Sequence, residues 1–162
     1  MKLQKNFIKS LSLVFLLLII TTSCSNSSTS PIDNGKNHKN HELLKAKWVG
    51  FEYGDVYEYN GQTYISYWDG KPNYIVKIEK IIWSSDTSGI MYGKYTKNDN
   101  SADTVGLYYA VSFKYLRSYI CYLAGAYKSG GKNGTDTLEE AITEFTIDNG
   151  YFGTYSVCEK QK

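Results

Sequence analysis

Three hydropathy regimes follow one another along the chain. Residues 11–20 are apolar except for Ser12, behind a start that carries Lys2, Lys5 and Lys9. From Ser25 to Asn40 the chain is mostly Ser, Asn, Thr, Lys and Gly. Beyond residue 42, apolar and polar side chains alternate with a period of two, broken by turn residues roughly every 8–12 positions. That alternation marks strands with one face on a core and one in water.

The alternating region predicts strands at 47–53, 55–59, 62–68, 74–84, 89–96, 104–113, 119–128 and 151–158. Asn60-Gly61 is the strongest hairpin signal, since a type I′ turn needs two positive φ values. Asp69-Gly70-Lys71-Pro72 and Ser85-Asp86-Thr87-Ser88 mark further turns. A helix is expected after Thr137, where Thr137-Leu138-Glu139-Glu140 forms a capping box. Leu138, Ala141, Ile142 and Phe145 give it a narrow apolar stripe to dock on a sheet. The fold class predicted is mainly β, an antiparallel barrel of about eight strands with one helix before the last strand. Val105, Leu107, Tyr109, Val111 and Phe113 form an unbroken alternate apolar set and are expected inside.

The first regime has the build of a secretory signal: a basic start, a short apolar stretch and small residues before a cut. It is too short for a transmembrane helix, which needs roughly 20 apolar residues. Thr21-Thr22-Ser23-Cys24 resembles the bacterial lipobox, with Thr21 where that pattern usually has Leu. The resemblance implies a lipoprotein signal peptide over 1–23, removed after acyl chains of the palmitate type are placed on Cys24. Each buried methylene contributes about 0.8 kcal/mol, so two or three chains hold a domain firmly on a bilayer. Ser25 carries no Asp-type inner-membrane retention signal, so the expected location is the cell envelope, anchored in the outer membrane. Residues 24–41 cannot bury enough apolar surface to order themselves and are expected to be a disordered tether, with the β domain over 42–162.

Charge and composition narrow the chemistry. The formal charge of +2 comes from 18 basic and 16 acidic residues. Loss of Lys2, Lys5 and Lys9 leaves 15 basic side chains against the same 16 acidic ones, a balance of −1. Such a domain has no general pull on nucleic acid. Arg117 is the only arginine. His38 and His41 are the only histidines and fall in or beside the tether, away from any Ser or Cys nucleophile of the fold. Neither a metal site nor a cofactor fingerprint is found. Asp55 and Glu58 are three apart in a strand and point to opposite faces, and Glu139 and Glu140 belong to the capping box. No enzyme is expected. Cys121 and Cys158 remain after Cys24; an oxidising compartment permits a disulfide between them, and two unpaired buried thiols are the other reading.

The order of elements resembles the lipocalin-like (calycin) family, in which an antiparallel barrel is followed by an outer helix and a short strand. The family's Gly-x-Trp has its counterpart in Ala46-Lys47-Trp48, with the glycine replaced, and Lys160 stands where the family stacks a basic residue on that tryptophan. Lys47-Trp48-Val49-Gly50, Val105-Gly106-Leu107-Tyr108-Tyr109-Ala110-Val111 and Ile147-Asp148-Asn149-Gly150-Tyr151-Phe152 resemble segments of spirochaete lipoproteins. That second resemblance implies lipid anchoring and a β domain, and no activity. Two functions follow as expectations. One is a small apolar or amphipathic ligand held in a cavity lined by Trp48, Tyr57, Leu107 and Tyr109. The other is adhesion to host or envelope partners through an exposed Tyr/Trp face. The 16 tyrosines serve either reading, since each has an apolar body and a polar tip.

Overall fold

Strand pairing in this chain runs in sequence order until the last strand returns to the first. The computed structural model describes residues 34–162; Cys24 and the expected signal peptide lie outside them. The strands are β1 (Ala46–Gly50), β2 (Val56–Tyr59), β3 (Thr63–Trp68), β4 (Lys71–Ser85), β5 (Ser88–Asn98), β6 (Tyr108–Lys114), β7 (Ile120–Gly125) and β8 (Ser156–Lys160). They close an antiparallel eight-stranded barrel in which β8 pairs with both β7 and β1. A short helix α1 (His41–Leu44) precedes β1, and α2 (Leu138–Glu144) lies between β7 and β8. The expected fold class is therefore the observed one.

Local chemistry explains where the strands turn. Asp69 and Gly70 have φ of 49° and 70°, the two positive values of a type I′ hairpin, and Trp68 pairs with Lys71 across them. The turn expected over 69–72 is thus two residues long, and β4 begins earlier than the pattern suggested. Asn60-Gly61 works differently from its sequence reading. Only Gly61 has positive φ, and the Asn60 side-chain oxygen instead accepts from the amides of Gln62 and Thr63 at 3.0 and 2.8 Å. α2 starts at the predicted N-cap: Thr137 Oγ1 accepts from the Glu140 amide at 3.2 Å.

Several boundaries differ from expectation, and three of them change what is buried. Residues 34–41, read as the end of a tether, are docked on the barrel. Asn34 O accepts from the Ile81 amide at 2.8 Å, Gly35 O accepts from Trp83 Nε1 at 2.8 Å, and His38 stacks on Trp83 with centroids 3.9 Å apart. Asn34, Gly35 and His38 thus find their partners on the barrel, while Asn37 and Lys39 stay exposed. Val105 is 47 % exposed, because a 3-10 turn (Ala102–Thr104) and Gly106 at φ 93° replace the first rungs expected of β6. Finally, 151–155 precede β8 instead of starting it. Tyr127 N donates to Tyr151 O at 2.9 Å, and Tyr151 and Phe152 are buried.

Register divides the barrel into two packed layers. Trp48, Tyr57, Ser66 and Tyr74 follow one another in facing pairs across β1 to β4, and Met91, Val111 and Gly125 do so across β5 to β7. These alternate positions fill the interior. On β5 and β6 the opposite face is also buried, at Tyr92, Ala110 and Ser112. α2 packs on both strands there, with Ala141 and Phe145 fully covered and Tyr92 Oη donating to Phe145 O at 3.1 Å. Each fully buried large side chain contributes about 1.5–3 kcal/mol.

Candidate functional site

The barrel interior is filled by rings. Tyr57, Tyr64, Tyr74 and Tyr95 follow with centroids 6.1, 6.2 and 5.9 Å apart, and Tyr109 stacks on Tyr95 at 4.6 Å. Their hydroxyls are joined. Tyr74 is hydrogen-bonded to Ser66 and Tyr64, and Tyr109 to Tyr95 and Tyr74. Tyr57 Oη lies 3.2 Å from Ser156 Oγ. Burial pushes the Tyr57 hydroxyl up to about 12 and those of Tyr64, Tyr74 and Tyr109 well above their ordinary value. These groups stay neutral and act as hydrogen-bonding core rather than as acids or bases. Among the described residues, no buried side-chain nitrogen or oxygen lacks a partner.

The residues expected to line a cavity are thus brought together only in part. Trp48 faces Tyr57 in the β1–β2 register, is 1 % exposed and donates from Nε1 to Leu44 O at 3.2 Å. Tyr109 is buried in the ring network. Leu107 precedes β6 and is half-buried beside Gly134. Lys160 lies directly opposite Trp48 but is exposed while the indole is covered. His41 is buried and its Nε2 lies 3.0 Å from Tyr59 Oη; burial, with Lys45 nearby, lowers its pKa. Among the described residues no three His, Cys, Asp or Glu side chains gather to hold a metal. No described helix is long and apolar enough to cross a membrane.

Two adjoining clefts open at one end of the barrel. The first, about 400 Å³, lies between the β1–β2 turn and the segment entering β8, lined by Phe51, Glu52, Tyr53, Asp55 and Tyr155 among others. The second, about 380 Å³, shares Tyr53 and Asp55 and adds Tyr67, Trp68 and Asp69. Phe51, Tyr53 and Trp68 are 60, 78 and 72 % exposed. Trp68 has this exposure because it is the last residue of β3, beyond the irregularity at Ser66/Tyr67, so nothing packs over it. The lining carries the carboxylates Glu52, Asp55 and Asp69 and no Lys or Arg. A hydrogen bond from Tyr53 to Glu52 raises the pKa of the phenol. The pattern of alternation had assigned Phe51 and Tyr53 to a strand. The signal that separates them is their position beside Gly54, whose φ of 67° turns the chain.

The up-and-down order places this end opposite the one where the described chain enters. The turns after β1 and β3 form the cleft end, whereas residues 34–41 dock beside the β4–β5 turn at the other, where Asn40 Nδ2 donates to Asp86 O at 2.8 Å. Lys114 Nζ lies over the Tyr155 ring at 3.7 Å and Lys47 Nζ over the Tyr67 ring at 5.2 Å, which leaves the rings of Phe51, Tyr53 and Trp68, with the carboxylates, to grip apolar and basic groups. Comparison with protein-family models, curated proteins and solved structures gives no match for this chain.

Proposed function

We propose that this chain is a non-enzymatic lipoprotein of the cell envelope, anchored in the outer membrane through Cys24, that binds an envelope or host protein through its aromatic barrel end. One observation carries the reading: Phe51, Tyr53 and Trp68 stand exposed around two adjoining clefts at the end away from the docked residues 34–41. Exposed aromatic side chains grouped in this way mark interaction surfaces more than scattered ones do. The carboxylates of the lining favour a partner with basic groups at the contact. A small apolar ligand held inside the barrel would need the space now filled by Trp48, Tyr64 and Tyr109.

Site-specific photocrosslinking in intact producing cells tests the proposal. A crosslinker at position 68 is expected to give a discrete protein adduct, and one at position 115, in the turn at the opposite end, none. An adduct from position 115 alone would reverse the assignment of the binding end. Native mass spectrometry of the purified lipoprotein is expected to give the bare acylated chain. A stoichiometric small molecule retained by a Trp68→Ala variant would instead favour an internal ligand.

A further inference from the structure

We infer that the barrel end where the described chain enters is a membrane-facing surface, with Tyr115, Arg117 and Tyr119 of the β6–β7 turn set against the headgroups of the bilayer that holds the anchor. This orientation rests on the proposed acylation of Cys24. Two hydrogen bonds tie the turn to the entering chain. Leu116 N donates to Thr87 O at 3.0 Å, and Asn40 Nδ2 donates to Asp86 O at 2.8 Å. The β4–β5 turn thus joins residues 34–41 to the β6–β7 turn at one end of the barrel.

Within the turn, Leu116 is buried, whereas Tyr115 and Tyr119 are 56 and 69 % exposed and Arg117 is exposed between them. Tyr115 has a φ of 54°, a left-handed backbone that a bulky residue keeps only where its surroundings hold it. Its ring meets that of Tyr122 edge-on with centroids 5.1 Å apart. A phenol ring suits the headgroup level of a bilayer, where its apolar body and polar tip are both satisfied. A guanidinium suits the lipid phosphate, which it can hold through two parallel hydrogen bonds. No ion pair among the described residues claims Arg117, and residues 114–120 hold no carboxylate. Asp86 of the neighbouring turn is already paired with Lys39 at 2.6 Å. The cleft end has the opposite character, with Glu52, Asp55 and Asp69 in its lining.

Chain length favours the bilayer as the occupant of this end. Asn34 lies ten residues after Cys24, and ten residues reach at most about 36 Å when fully extended. An acylated chain therefore keeps its entry end within that distance of a phosphate-rich surface, at a high effective concentration that a soluble partner does not share. Turning the cleft end to the bilayer would instead spend about 20 Å of that reach along the barrel wall, the length of six-residue β7. The same orientation points Phe51, Tyr53 and Trp68 away from the lipid.

The test uses the acylated lipoprotein, reconstituted into phosphatidylcholine vesicles with and without phosphatidylglycerol. A polarity-sensitive, thiol-reactive dye is placed on Ser118→Cys or on Tyr53→Cys. Cys121 and Cys158, open to two readings in the sequence, are free, buried thiols; burial pushes Cys158 up to about 12 and Cys121 further up, so both are poor nucleophiles in the folded protein. The Cys24 sulfur is blocked in the acylated protein. The dye at position 118 is expected to shift to the blue on reconstitution and to be quenched by lipids spin-labelled near the headgroup, and the dye at position 53 to do neither. Phosphatidylglycerol should strengthen the quenching at 118, salt raised from about 0.1 to 1 M should weaken it, and Arg117→Gln should remove that salt dependence. Intact mass is read first: a chain bare of acyl groups at Cys24 would overturn the anchoring and this orientation with it. An acylated chain quenched equally at both positions, or at neither, would overturn the orientation alone. A blue shift at 118 without lipid quenching would give this end to a protein partner instead.

Discussion

A methyl group at position 93 would run into the backbone of β4. A Cβ there would stand 2.1 Å from Lys77 O and 2.8 Å from Ile78 Cα, where β4 and β5 shift register. Gly93→Ala is expected to lower stability by about 3 kcal/mol, read from urea unfolding. Gly70 gives the contrast. Its φ is positive but nothing lies within 4 Å of a Cβ, so Gly70→Ala should lose only the conformational term, about 1 kcal/mol. His41 supplies a pH dependence. Burial lowers its folded pKa below the ordinary 6.5, with Lys45, Lys36 and His38 lowering it further and Glu42 opposing. The unfolded chain therefore takes up the proton first. The contribution is complete above about pH 6.5 and is lost as pH falls through that value toward the folded pKa. Urea midpoints measured from pH 7 to 5 should fall in the wild type, and this fall should flatten in His41→Gln. The sequence shows none of this for His41, because its partner Tyr59 is distant in the chain and the surrounding composition is that of a tether.

At the level of elements, α2 illustrates what local pattern can and cannot specify. Its start was legible because Thr137 and Glu140 act within one turn. Thr137→Ala should cost about 1 kcal/mol. Phe145→Ala should cost more, about 3–5 kcal/mol, because the ring is wholly covered against Tyr109 and Tyr151 with centroids 6.2 and 5.0 Å away. Denaturant midpoints of the two variants would separate cap from core. The strand count and the meander were legible for the same local reason: alternation and turn residues act over a few positions. Strand ends were not. Val105 fits the alternate set of Tyr109, Val111 and Phe113, yet a 3-10 turn removes it from the strand. Alternation also failed to say that β5 and β6 are covered on both faces, since this depends on α2 arriving from far along the chain. The candidate site was less legible still. Phe51, Tyr53 and Trp68 have the composition of core residues, and only the folded strands show that Phe51 and Tyr53 lie past the end of β1 and that Trp68 sits on the last rung of β3, opposite Lys71.

At the scale of the whole molecule, the buried rings and the exposed rings of the cleft end have opposite expected behaviour. Tyr109 holds a packed ring and hydrogen bonds to Tyr95 and Tyr74. Tyr109→Ala would open a hole and strand two buried hydroxyls, at a cost of about 3–5 kcal/mol. Phe51, Tyr53 and Trp68 hold nothing in place, so alanine at each should change stability by about 0.5 kcal/mol or less. If the cleft end is the binding surface, the triple alanine variant keeps its urea midpoint while losing crosslinked adduct from a reporter placed at position 69. The contact should also weaken as salt rises, because Glu52, Asp55 and Asp69 are exposed enough to be screened within about 10 Å at 0.1 M. A triple variant that unfolds would make these rings structural. One that stays folded and still yields the adduct would move the binding surface elsewhere on the barrel, and the purely structural role of Tyr109 would stand in either case.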